Sequence, residues 1–183
     1  MTRIAIVLAD DFEDAEFDHP HRTLRAQDLA VDVIGSDTGE VVGKHGTRVA
    51  IDTSIDAASP EQYDALVIPG GFSPDHLRTD ERVVGFVRAM AERGATIAAV
   101  CHAPSLLIEA DAVAGRTLTS WPSIRTDLRN AGAQVVDREV VVDGNLITSR
   151  QPDDLPGFTA ALLAALHDGT VERGDPHSGG GDD

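Results

Sequence analysis

Short apolar runs alternate with amphipathic stretches along most of the chain, and that alternation narrows the possible folds more than any other feature. Runs at residues 3–9, 30–34, 65–68, 95–100, 134–136, 140–142 and 146–149 have the length and apolar content of strands. Between them, residues 15–27, 81–93, 104–110, 121–131 and 156–167 place apolar side chains at helical spacing. Strands separated by helices pair in parallel, because the crossover helix returns the chain to the same end of the sheet. The predicted class is therefore α/β with a mostly parallel sheet. Residues 40–52 (EVVGKHGTRVAID) break the rhythm and read as a β-hairpin turning at Lys44-His45-Gly46.

At 183 residues the chain is long enough for one domain with a real core, expected over residues 1–168. Residues 169–183 read as a polar, acidic, Gly-rich tail expected to be mobile. The first apolar run is too short for a signal-peptide core or a membrane span and ends at Asp10-Asp11, so the expected location is the cytoplasm. Charge limits the partners. Fifteen basic against 31 acidic residues leave −16, a field that repels nucleic acid and acidic membranes. Lys44 is the sole lysine beside fourteen arginines. The charge fits an ordinary acidic protein or one adapted to molar salt, where the Debye length shrinks to about 3 Å; the near absence of lysine favours the salt-rich cytosol. Self-repulsion then predicts a melting temperature that climbs from low to molar KCl; a flat or falling curve would contradict it.

In a parallel sheet, ligands bind beyond the carboxyl ends of the strands. Three strands here end in unusual chemistry: Asp10-Asp11-Phe12-Glu13-Asp14, then Pro69-Gly70-Gly71-Phe72-Ser73-Pro74-Asp75, then Cys101-His102. If the three are parallel, an acid, a glycine pair and a thiol share one edge. Cys101 is the only cysteine, so it forms no internal disulfide. A nucleophile elbow needs small residues two before and two after the nucleophile, and Ala99 and Ala103 stand there. Pro104 suits the first turn of a helix, whose positive end would favour a thiolate, so Cys101 is expected to titrate below an ordinary thiol. The same local pattern equally suits a buried structural cysteine, the commoner fate of a lone thiol.

Gly70-Gly71 would let a backbone N–H face the crevice and, with the N–H of His102, form an oxyanion hole; it is also a plain turn pattern. His102, beside the thiol, is a candidate acid or base. Glu13 is one acid among several in its loop. His19, His21, His45 and His76 lack metal-ligand spacing, so no metal and no cofactor are expected.

Six segments in order carry a resemblance: DDFEDAEF (10–17), GKHG (43–46), DALVIPGGFSPDHLR (64–78), AAVCHAP (98–104), TSWP (119–122) and VVDGNLITSRQPDDL (141–155). With them the chain resembles the PfpI family of intracellular cysteine peptidases, within the class I glutamine amidotransferase-like superfamily. The resemblance implies a flavodoxin-like three-layer α/β/α sandwich and a homo-oligomer, dimer or hexamer. It makes Cys101 the nucleophile, His102 its partner, Glu13 the acid that hydrogen-bonds the sulfur, and Gly71 and His102 the oxyanion donors. Asp75 matches the acid that reaches a neighbouring subunit's histidine in peptidase-type members, where a longer glutamate is usual. Gly70, His21 and Trp121 are placed at the substrate, with Trp121 standing where a tyrosine is usual. The implied activity is thiol attack on a carbonyl in a small-molecule, peptide or protein substrate, as in peptidases, deglycases or cofactor-independent glyoxalases. The other class of function is a non-catalytic redox sensor built on an oxidisable Cys101.

Overall fold

A computed structural model describes residues 2–172. In chain order the elements are β1 (Arg3–Val7), α1 (Asp14–Arg25), β2 (Ala30–Gly35), β3 (Gly39–Val42), β4 (Arg48–Ile51) and β5 (Thr53–Ser54). There follow β6 (Ala65–Ile68), α2 (Ser73–Leu77), α3 (Glu81–Glu92), β7 (Thr96–Val100), α4 (Pro104–Glu109) and β8 (Thr117–Leu118). The chain continues with α5 (Arg125–Asn130), β9 (Gln134–Val135), β10 (Val140–Asp143), β11 (Leu146–Ser149) and α6 (Leu155–Glu172).

Seven strands form one sheet in the order β10-β11-β7-β6-β1-β2-β5. Every pair in it is parallel except β10 with β11, which closes one edge as a hairpin. Side chains alternate faces along each strand, so two cores form. Ala5, Val7, Leu66, Ile68, Ile97 and Ala99 pack against α3, α4 and Leu77 of α2. Ile4, Ile6, Ala65, Val67, Ala98 and Val100 pack against Phe17 and Leu24 of α1 and Phe158, Leu162 and Leu166 of α6. The result is the expected three-layer α/β/α sandwich. Local chemistry fixes the helix starts: the Asp80 carboxylate accepts the Arg82 N–H at 3.0 Å and caps α3, and Pro104 opens α4.

The structure corrects the sequence expectations at the small elements. Residues 134–136 do not join the main sheet; β9 pairs with β8 in a separate ribbon. The helix expected over 121–131 divides into a 3-10 turn, Pro122–Ile124, and α5. The five-residue α2 and the two-residue β5 and β8 lie below the length at which periodicity is readable. The last helix continues to Glu172, past the expected start of the tail, and the rest of that tail lies outside the described residues. Among the described residues no helix is long and apolar enough to cross a membrane.

β1 has β2 on one side and β6 on the other, so the connections run opposite ways from β1 and leave a crevice between the carboxyl ends of β1 and β6. The hairpin β3–β4 is fastened over that crevice. Asp10 Oδ1 accepts the Val42 N–H at 2.8 Å, and the Asp14 carboxylate accepts the N–H groups of His45 (2.8 Å) and Thr47 (2.9 Å). Gly43 is required at the close approach, because a Cβ there would come within 2.7 Å of the Asp14 carboxylate.

Candidate active site

β7 ends in an abrupt turn. Cys101 has φ +63°, a left-handed conformation that L-residues adopt at a cost, and it holds the side chain between strand and helix at the crevice. The turn is bonded on both sides: the Cys101 N–H donates to Ser149 O (3.0 Å), and Cys101 O accepts the Trp121 N–H (3.0 Å). Ala103 is fully buried, so the small residue after the cysteine is needed for packing as well as for the turn. The elbow expected from AAVCHAP is present, with the cysteine 7% exposed.

The first loop and the glycine loop are zipped together beside it. Phe12 and Gly71 form an antiparallel bridge, the Glu13 N–H donates to Gly70 O (3.1 Å), and the Phe72 N–H donates to Asp11 O (2.8 Å). Gly71 sits at φ +75°, where a Cβ would meet the Glu13 nitrogen at 2.3 Å and Asp11 O at 2.6 Å. Gly70 is equally crowded: a Cβ there would lie 2.4 Å from Glu16 Oε2 and 2.8 Å from Cys101 Cβ. Both glycines are therefore steric requirements of the site. Backbone N–H groups of Gly71 and His102 point at the Cys101 sulfur.

The acid beside the sulfur is Glu16. It occupies the first turn of α1 and is fully buried. Oε2 accepts the Gly70 N–H at 2.8 Å, and the carboxyl interacts with the Cys101 thiol, although buried Oε1 has no well-formed hydrogen bond. Burial, above all, pushes the Glu16 carboxyl up to about 8. Glu16 is thus protonated at neutral pH, and Oε1, the oxygen without a donor, is where that proton is worth most. Glu13, expected in this place from the resemblance, instead meets Lys44 Nζ at 3.2 Å and His45 Nε2 at 3.4 Å.

Burial pushes the Cys101 thiol up, and an ionised Glu16 would push it further, while the Gly71 and His102 N–H groups pull it down. The lowering expected from a helix N-terminus is opposed because the cysteine is buried and α4 has only six residues. Two buried acids in contact lose protons as a pair, the second step being held back by the charge left after the first.

His102 Nδ1 lies 3.2 Å from Cys101 Sγ. Burial and then the positive charge of Lys44 hold the imidazole below its usual range, so it is neutral and available to accept a proton. Trp121 stacks on it, with ring centroids 6.2 Å apart and planes 30° apart. These groups line a cavity of about 670 Å³ that also takes in Glu13, Lys44, Phe72, Asp75 and Arg78. His21 is not brought to the site; it stacks on Phe17 at 4.9 Å along α1 and does not line the cavity. Ser123, whose Oγ lies 3.2 Å from His102 Nε2, was not singled out from sequence, since a serine in a turn carries no pattern of its own.

Glu13, Asp14 and His45 bring ligand atoms within 4.8 Å of one another. Both Asp14 oxygens already accept backbone N–H groups, and the Lys44 ammonium stands on Glu13, so the trio is poorly suited to a cation.

Fold and site together define an α/β protein with a strained cysteine elbow at the switch point of a parallel sheet. The DJ-1/PfpI family model matches residues 2–165. A Staphylococcus epidermidis relative, described only as an uncharacterized protein, is 48% identical over 167 residues, covering 90% of this chain and 97% of its own. Among solved structures, Drosophila melanogaster DJ-1beta superposes with TM-score 0.85 at 31% identity, covering 90% of each chain. A two-domain Anabaena variabilis protein with DJ-1/ThiJ/PfpI-like and ferritin-like domains superposes with TM-score 0.90 at 41% identity, over 91% of this chain. The chain spans about half (48%) of that larger protein. The chain belongs to the DJ-1/PfpI family.

Proposed function

We propose that this protein is a cysteine-dependent enzyme that attacks a carbonyl group, with Cys101 as nucleophile. The observation that carries this reading is the left-handed Cys101, with its sulfur 3.2 Å from a neutral imidazole and in contact with a protonated carboxyl at the floor of a cavity. His102 takes the thiol proton as the S–C bond forms, and the N–H groups of Gly71 and His102 receive the negative oxygen. Glu16 holds its proton toward the sulfur and keeps a second negative charge out of the crevice. A cavity of about 670 Å³ has room for far more than a three-carbon aldehyde, which favours a carbonyl carried on a peptide or protein, as in peptidase or deglycase chemistry. Phe72, 57% exposed on the rim beside Asp75, gives an oligomer contact an apolar centre, and assembly at least into dimers is part of the same proposal.

Turnover of methylglyoxal, of a glycated peptide and of an unmodified peptide, compared with Cys101→Ala, tests the reading. The expected result is a rate on at least one substrate that the Ala variant loses. Equal rates for the two proteins on all three would overturn it and leave the redox-sensing role, for which the same donors around the sulfur would hold an oxidised cysteine.

A further inference from the structure

Both ring nitrogens of His102 are engaged within one chain. Nδ1 faces Cys101 Sγ at 3.2 Å, and Nε2 faces Ser123 Oγ at 3.2 Å. Ser123 stands in the 3-10 turn Pro122–Ile124, and the residue that starts the turn, Trp121, is bonded through its N–H to the Cys101 carbonyl at 3.0 Å. The segment presenting the hydroxyl is therefore tied to the elbow that presents the thiol. The Trp121 ring stands beside the imidazole, with centroids 6.2 Å apart.

We propose that Ser123 is the positioning residue of this site: its hydroxyl holds His102 with Nδ1 toward the sulfur, so Cys101, His102 and Ser123 form a relay within one chain. The proposal rests on the thiol chemistry above. In that step the S–H proton moves to Nδ1, the sulfur electron pair forms the S–C bond, and the carbonyl π pair moves onto oxygen. The ring becomes an imidazolium whose Nε2–H donates to Ser123 Oγ, and Nδ1–H later returns the proton to the oxyanion or the leaving group. A hydroxyl both donates and accepts, so it follows the ring through either protonation state. It carries no charge, so unlike a carboxylate it orients the imidazole without strengthening it as a base, in keeping with a His102 held below its usual range. Asp75 lines the same cavity from α2 but makes no hydrogen bond to His102 within the chain.

Two variants decide the matter: Ser123→Ala and Ser123→Thr. Ser123 is exposed, so its truncation leaves the core intact. Ser123→Ala is expected to lower kcat about three- to tenfold, the range for one exposed hydrogen bond, with KM changed less than about twofold. Ser123→Thr restores kcat. In substrate-free protein labelled with 15N-histidine, the His102 ring shifts, assigned by their loss in His102→Gln, should move toward a tautomer mixture in Ser123→Ala alone. Wild-type kcat and unchanged ring shifts in Ser123→Ala would overturn the proposal. The ring shifts need no turnover, so they test Ser123 even if Cys101→Ala shows the thiol chemistry to be wrong.

Discussion

Replacing Glu16 with glutamine should remove a fall in stability that the wild-type protein shows as pH rises from about 4.5 to about 8. The carboxyl has its ordinary value of 4.5 in the unfolded chain and about 8 in the fold, so folding takes up a proton in that window. A raised folded value means that the full stability is present below the unfolded value. It is then lost as pH climbs through the folded one. A shift of that size is worth on the order of 5 kcal/mol. Glutamine copies the protonated acid: its oxygen still accepts from Gly70, and its nitrogen donates to the sulfur. Denaturant melts across the window should therefore give curves that meet near pH 4.5 and diverge above it, with the glutamine variant the more stable. Parallel curves would show that Glu16 folds as an ordinary carboxylate.

The placement of Glu16 rather than Glu13 beside the sulfur separates what the sequence made legible from what it did not. The segment DDFEDAEF carries both acids, and resemblance alone pointed to the first. Glu13 takes the N-cap position with an extended backbone, and the helix begins one residue later. From there the buried stripe of α1 is Glu16, Phe17, Pro20 and Leu24, at helical spacing. An acid on an otherwise apolar stripe is the mark of a buried functional carboxyl, so the periodicity held the information and only the helix start was needed to use it. The elbow was legible for the opposite reason. Its requirements, small residues on both sides of Cys101 and a proline opening the next helix, are local and act within a few residues.

The convergence of the three loops followed from parallel strands alone, and the sheet order bears that out. Burial was not legible in the same way. A helix N-terminus is visible in sequence, whereas the desolvation that opposes it arises from packing among distant segments, so the thiol's surroundings were expected to be more favourable to charge than they are. His21 was misplaced by the same kind of gap, since its ring stacks on Phe17 along α1 and does not line the cavity. Gly70 and Gly71 were recognised as a pair, but the backbone atoms that forbid a side chain at each become visible only in three dimensions.

The claim on which the rest depends is that a protonated Glu16 donates to the Cys101 sulfur. Iodoacetamide alkylation of Cys101, followed against pH in wild type, Glu16→Gln and Glu16→Leu, tests it by sign. Below about pH 8 the carboxyl is neutral, so its removal costs the thiolate a donor and relieves no repulsion. Glu16→Leu should therefore alkylate more slowly than wild type at mildly acidic pH, by roughly ten- to a hundredfold for one lost hydrogen bond to a charged group. Glu16→Gln should fall between the two. If Glu16→Leu instead reacts faster than wild type, the carboxyl is ionised and repels the thiolate, and the account of the site is wrong.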